Sequence, residues 1–203
     1  MGLYERYLLP HLIDFACGMG EVMKARSQIV PQAHGRVLEI GIGSGLNLSF
    51  YDPARVNLIV GVDPSAAMQK LARQRAAAIT IPVEMVALEL GQIQAETASF
   101  DSIVCTFTLC TIPDAVAALR EMRRVLKPGG RLLFCEHGLA PDAPVVRWQQ
   151  RLTPLWKPLA GGCHLDRDIP ALLAAGGFAI GALENRYLKG PRPMTYLYQG
   201  WAE

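Results

Sequence analysis

Apolar residues in this chain come in short runs divided by amphipathic segments. Residues 36–40, 58–62, 83–87, 102–107 and 132–136 are runs of Val, Ile, Leu and Phe, each the length of a strand buried on both faces. Most are followed by a turn signal and then by a helical pattern. The clearest helices are expected over 65–78, rich in alanine and long polar side chains, and over 114–126, where Val116, Leu119, Met122 and Val125 recur at helical spacing. Lys127-Pro128-Gly129-Gly130 stops the second helix and turns into the next strand. Strand and helix thus alternate, which predicts an α/β fold around a parallel sheet.

The last third changes character. A stretch of roughly thirty residues after Glu136, with several prolines, two tryptophans and Gly161-Gly162, leads to a short helix expected over 169–175. Residues 178–184 and 194–201 then read as two strands, joined by a loop containing Lys189-Gly190-Pro191-Arg192-Pro193. A loop this short forces its two strands to pair antiparallel.

Composition bounds the partners. The chain has 203 residues, 51% hydrophobic and 19% charged, enough for one substantial core and one domain. A net charge of +2 is too mild for a nucleic-acid partner. The densest basic group, Arg120, Arg123, Arg124, Lys127 and Arg131, falls at helical spacing and reads as a solvated face. Five cysteines, an odd number without a C-x-x-C pair, argue against a secreted disulfide framework. With no signal-peptide pattern and no apolar run near the ~18 residues of a spanning helix, a cytoplasmic location is expected.

The richest motif is Glu39-Ile40-Gly41-Ile42-Gly43-Ser44-Gly45, where an apolar run ends in an acid and a glycine-rich turn opens the amphipathic segment 46–51. Such a turn delivers a helix N-terminus to a ligand at the carboxyl edge of a sheet. Glycines at 41, 43 and 45 depart from G-x-G-x-x-G, and Leu46 stands where a third glycine is needed for a dinucleotide. Glu39 would repel a diphosphate, yet it suits an ammonium and a sulfonium, the ligand's carboxylate then turning to the helix end. The turn therefore favours S-adenosylmethionine over NAD. Asp63 closes the second run twenty-two positions after Gly41, where an acid meets ribose hydroxyls. The competing role is a helix N-cap, since Pro64 suits the first helical position.

With these pieces in register, the chain resembles the class I S-adenosylmethionine-dependent methyltransferases. The resemblance rests on Glu39 to Gly45, Gly61-Val62-Asp63-Pro64-Ser65, Ser99-Phe100-Asp101 and Arg123 to Gly130, in the family's order over residues 35–136. Within the family it is similar to type 11 methyltransferases, and to thiol methyltransferases and bacterial phospholipid N-methyltransferases through Leu109-Cys110-Thr111-Ile112, Glu136-His137-Gly138 and Pro154-Leu155-Trp156-Lys157. It implies a Rossmann-like, doubly wound, seven-stranded sheet in the order 3-2-1-4-5-7-6, with strand 7 antiparallel and helices on both faces. It also implies one domain made of an N-terminal helical lid (1–34), a cofactor-binding core (35–136), an acceptor-side insertion (137–169) and a terminal helix with hairpin (170–203). The cofactor would be held by Glu39, Gly41, Gly43, Gly45, Asp63, Pro64 and Met68, its adenine by Ala87 and Leu88, and its methionine end beside Thr106 and Thr108. Many relatives carry an aspartate and a glutamate where this chain has Ala87-Leu88-Glu89, so adenine contact is expected from a backbone amide and the Leu88 side chain. Satisfied strand-end hydroxyls are the competing role for the two threonines.

Methyl transfer discharges a soft cation, so a dry pocket and in-line placement supply most of the acceleration, and a base is needed only if the acceptor must lose a proton. His137 is the base candidate on position, with Cys110 nearby. Trp148, Leu152, Leu155, Trp156 and Leu159 interleave with Arg147, Arg151 and Lys157, a composition that could line a lipophilic pocket or lie on a membrane surface. The acceptor is then a small or medium, fairly apolar thiol, amine or lipid-like molecule. No metal is expected, because His164, Asp166 and Asp168 lack partner ligands. Two rivals remain at this point, a nicotinamide-dependent oxidoreductase on a similar sheet and a binding protein that keeps the cofactor site without catalysis.

Overall fold

In a computed structural model of the chain, the five apolar runs become parallel strands of one sheet; residues 4–86, 88–89 and 92–203 are described, with the backbone alone at 5, 6, 88 and 89. These are β1 (Gly35–Ile40), β2 (Val56–Val62), β3 (Val83–Val86), β4 (Phe100–Thr106) and β5 (Leu126–His137). The hairpin strands are β6 (Ile180–Tyr187) and β7 (Tyr196–Ala202). The order is β3-β2-β1-β4-β5-β7-β6, and β7 runs antiparallel to both neighbours, as the resemblance implied. A separate two-stranded ladder, Leu88–Glu89 with Gln92–Ile93, was not expected.

Period-two alternation sorts the strands into two cores. Leu38, Val60, Ile103, Leu132 and Phe134 face one, while Val37, Ile59, Val104, Leu133 and Cys135 face the other. Each strand is therefore apolar throughout, as a sheet covered on both faces requires. The first core is roofed by α4 (Ala115–Val125) and α6 (Ile169–Ala175), which contribute Leu119, Met122, Val125, Ile169 and Leu173. The second is covered by α2 (Gly20–Ile29) through Ala25 and Ile29. Capping sets the helix starts: Asp114 accepts from the Ala117 amide at 2.9 Å, and Ser65 accepts from Met68, so that α3 spans Ala66–Ala76. Ser65, and not Asp63, is the N-cap.

Two helical expectations need correction. The segment after the glycine turn forms only a single 3-10 turn, Leu48–Phe50, so no helix N-terminus faces the turn. Asn47 and Tyr51 turn inward there to bond the buried Glu39. Conversely, the proline-rich stretch contains a 17-residue helix, α5 (Ala143–Leu159). Pro154 and Pro158 stand on its exposed side, where the carbonyls they leave unbonded meet water. On its buried side Gln149, fully enclosed, accepts from Ala140 N and donates to the carbonyls of Gly138 and Leu165, all at 2.9 Å.

Asp101, part of the family-like Phe100-Asp101, works at the far edge of the sheet. It accepts from the Arg36 amide at 2.8 Å and from Lys127 Nζ at 2.7 Å, so its task is to register β1 against the turn into β5. The basic group does not make one charged face. Arg124 pairs with Glu121 at 2.6 Å, Arg131 stacks on Trp201 and Arg123 lies over Phe178.

Candidate functional site

The tips of β1, β2 and β4 meet at the carboxyl edge of the sheet, and three glycines let them do so in different ways. Gly41 (φ +67°) lies so close to the Thr108 hydroxyl and methyl that a Cβ would overlap them, which brings the β1 tip against the loop after β4. Gly45 (φ +83°) gives the same freedom toward α3, where a Cβ would sit 2.8 Å from Leu48 and 3.1 Å from the Ala72 backbone. Gly43 (φ +55°) differs. A Cβ there meets nothing nearer than 3.8 Å, the Met68 methyl being one of the two neighbours. Its open face is the crevice of the site, at the position where a doubly wound sheet takes its ligand.

Asp63 fastens this turn to β2. Its Oδ2 accepts from Gly43 N at 3.0 Å and its Oδ1 from Ser65 N at 2.8 Å, and burial raises its pKa against those two bonds. Each oxygen retains a second lone pair. Pro64 beside it is exposed and Met68 is buried. Ala87 lies outside the described residues, as does the Leu88 side chain.

Glu39 is enclosed within the protein instead of lining the crevice. Asn47 Nδ2 donates to it at 2.9 Å and the Tyr51 hydroxyl at 2.8 Å. The same Asn47 amide donates to Thr106 Oγ1 at 2.9 Å, and Arg26 Nη1 donates to Asn47 Oδ1 at 2.8 Å and to Thr106 Oγ1 at 2.5 Å. Glu39, Asn47, Tyr51, Thr106 and Arg26 form one buried network that pins α2, the glycine turn and the β4 tip together. In this network Glu39 supports the turn. Both threonine hydroxyls are likewise engaged, Thr108 donating to the Thr106 carbonyl at 3.0 Å.

Burial pushes the Glu39 carboxyl up to about 7, against the bonds from Tyr51 and Asn47 and the charge of Arg26. Between its ordinary value of 4.5 and 7, the folded state holds a proton that the unfolded chain has released. Its contribution to stability is thus full below pH 4.5 and is lost as pH rises through 7, on the order of 3 kcal/mol in all. Denaturation of the wild type and Glu39→Gln across pH 4.5 to 8 should show the difference between them changing by about that amount. A pH-independent difference would sink this assignment.

The loop after β4 hangs on a second buried acid. Phe107 leaves the strand at φ +53°, a left-handed conformation costing about 1–2 kcal/mol. Glu136, fully buried at the end of β5, accepts from Thr108 N at 2.8 Å and Leu109 N at 3.1 Å. Beyond Leu109 come Cys110, buried, and across from it His137 and Cys163. His137 Nε2 lies 3.1 Å from Cys163 Sγ, and these three groups lie within 4.8 Å of one another. The bond to the Cys110 thiol lowers the Cys163 pKa against burial, with His137 helping. Burial pushes the His137 pKa down, and the neighbouring Cys163 sulfur more than restores it. His137 is therefore half of a pair with Cys163, which its sequence position does not reveal.

The N-terminal segment docks on the same edge. Asp14 on α1 (Leu9–Cys17) takes Ser44 Oγ at 2.5 Å and Arg75 at 2.8 Å, and Arg75 also donates to the Ser44 carbonyl. His164, Asp166 and Asp168 do not converge: His164 bonds the Cys110 carbonyl, Asp166 accepts from Thr153 and Asp168 caps α6. Sequence reasoning missed Arg26, Asn47, Tyr51, Glu136 and Cys163. Glu136 had a usable signal, since it ends its strand in an acid as Glu39 does.

Comparison with known proteins gives a consistent picture. Residues 38–134 match the methyltransferase domain family. The chain is 33% identical to human thiol S-methyltransferase TMT1A, over 98% of its own length and 78% of that protein. It is 29% identical to the phosphatidylethanolamine N-methyltransferase of Cereibacter sphaeroides, over 84% of its own length and 83% of that protein. It spans 55% to 78% of the thiol S-methyltransferases that it matches. Among solved structures it is similar to CalH in complex with SAH, with a TM-score of 0.64 and 25% identity, over 96% of this chain and 58% of that one.

Proposed function

From the premise that the chain belongs to the S-adenosylmethionine-dependent methyltransferases, we propose that its acceptor is a small, fairly apolar thiol. The observation that carries this reading is the convergence of His137, Cys163 and Cys110 at the carboxyl edge, walled by Leu165, Leu152 and Trp156. A dry wall of sulfur, imidazole and hydrocarbon accommodates a soft nucleophile and offers little to a hydrated alcohol. The curated relatives named above include a thiol S-methyltransferase.

The crevice fits the family's cofactor. Gly43 leaves room against the backbone, Asp63 keeps a free lone pair on each oxygen, and Arg26 Nε is buried without a partner. Asp63 would then take the ribose hydroxyls, Gly41, Gly43 and Gly45 would line the methionine end, and Arg26 would offer a donor to its carboxylate in place of the missing helix end. Pro64 and Met68 would border the ribose, and Ala87 and Leu88 the adenine. When bound, the cofactor supplies a methyl on a sulfonium that a soft nucleophile displaces. Glu39, Thr106 and Thr108 hold the walls, Glu136 fixes the loop, and His137 is placed to touch the acceptor. Helix α1 serves as the lid, tied down through Asp14.

A panel of matched thiols, amines and phenols tests the acceptor. Thiols should turn over at least tenfold faster in kcat/KM, and His137→Ala should lower that value by about 10²-fold. Equal rates across the panel would refute the thiol reading, and an unaffected His137→Ala would remove His137 from the chemistry. A lipid-like amine is the second reading, favoured by exposed apolar residues: Phe15 on α1 is 76% exposed and Leu155 and Leu159 on α5 are 69% and 60% exposed, beside the exposed Arg151 and Lys157. That face suits peripheral contact with an anionic bilayer, and no described helix is long and apolar enough to cross a membrane. Five free cysteines support a reducing, cytoplasmic setting.

A further inference from the structure

Cys110, His137 and Cys163 come from three separate segments, the loop after β4, the end of β5 and the loop after α5. A tetrahedral zinc-class ion holds thiolates at about 2.3 Å and imidazole at about 2.0–2.1 Å, which spaces its ligands about 3.5–3.8 Å apart. Here the imidazole nitrogen and one sulfur are 3.1 Å apart, and all three ligand groups fall within 4.8 Å. Adjustment of an ångström or less closes the geometry. Both cysteines are buried and free. The second ring nitrogen of His137 is buried without a partner, so the bond that orients the ring is the one to sulfur.

The backbone around the three is held independently. Glu136 bonds Thr108 N and Leu109 N just ahead of Cys110, and His164 N donates to the Cys110 carbonyl at 2.9 Å just after Cys163. Gly161 and Gly162, immediately before Cys163, line an open hollow of ≈ 510 Å³ on the surface. Plain apolar packing would need none of these groups, whereas ligands set on supported backbone are what a metal site needs.

We propose that Cys110, Cys163 and His137 bind one thiophilic divalent cation of the zinc class, with the fourth position open to water or to the acceptor's sulfur. The two thiols lose their protons to solvent on binding, and the resulting thiolates balance the dication. Occupation of the fourth position by an acceptor rests on the thiol reading above, but the three-ligand site does not.

Cobalt(II) titration of the reduced, chelator-treated full chain tests the site. One equivalent should give thiolate-to-cobalt charge-transfer and strong tetrahedral d–d absorption, which one equivalent of zinc(II) bleaches. Cys110→Ser and Cys163→Ser should each weaken binding at least a hundredfold, while Cys135→Ala, a core cysteine on β5, keeps it. Should the serine variants fail to fold, a zinc-dependent rise in the melting temperature of the wild type is the second readout. No absorbing complex and no shift would overturn the proposal, as would a Cys110–Cys163 disulfide persisting in glutathione buffer. Metal-free protein that methylates thiols at the full rate overturns the acceptor's place in the fourth position and leaves the thiol reading standing. Stoichiometric metal without thiol turnover supports the site and removes the acceptor.

Discussion

Glu136→Ala is expected to lower the unfolding free energy by about 3–6 kcal/mol, because it strips the acceptor from two backbone donors, one buried and one half-buried, at a cost of about 1–3 kcal/mol each and leaves a cavity. Those donors, Thr108 N and Leu109 N, belong to the loop that Phe107 enters in a left-handed conformation. Without its anchor the loop has little reason to keep that strain. Activity should then fall further than stability alone explains, since Thr108 touches the glycine turn and Cys110 follows on the same loop. Glu136→Gln retains one acceptor oxygen and should lose about half as much stability. Urea denaturation at pH 7 separates the cases, and a Glu136→Ala protein within ~1 kcal/mol of wild type would refute the anchoring role.

A second large effect is expected at Gly43, and it should be functional. Its missing side chain faces open crevice, so Gly43→Leu meets no protein atom nearer than 3.8 Å at Cβ and pays mainly the left-handed penalty of about 1–2 kcal/mol. The melting temperature should drop by no more than about 8 °C. Cofactor affinity should fall at least a hundredfold, because the leucine occupies the space against the turn. Gly45→Ala makes the informative contrast: its Cβ presses on the Ala72 backbone at 3.1 Å, and its cost should appear as stability before affinity. Calorimetric titration with S-adenosylhomocysteine checks both, and a Gly43→Leu protein that binds normally would move the cofactor elsewhere.

Much of the architecture was legible because parallel strands covered on two faces have to be apolar throughout. The runs at 36–40, 58–62 and 132–136 carry that requirement openly, and the Asp63 interval follows from the same geometry. The helix of 17 residues was hidden by Pro154 and Pro158, whose exposed placement is invisible until the buried side through Gln149 is known. Glu39 was read as a ligand contact because its chemistry suited one. Tyr51 and Asn47 bond the same carboxylate from twelve and eight residues away, a supporting role that the local pattern does not reveal. Arg26 carries no local pattern at all, since it joins the site through the packing of α2. Cys163 is separated from His137 by 26 residues and from Cys110 by 53, so their meeting is a property of the fold.

The position of β7 has a bearing on how the protein is made. This strand lies between β5 and β6, pairing Leu197 with His137 and Ala202 with Leu132 on one side and with Ile180 on the other. During synthesis every other strand leaves the ribosome before it, yet the inner edge of β5 stays open until residues 196–202 arrive. From the time residue 137 is made until residues 196–202 follow, the nascent chain carries an apolar, unpaired edge, a natural target for chaperones. His137 is registered by Leu197, so the acceptor side is assembled only after a strand made about sixty residues later has emerged.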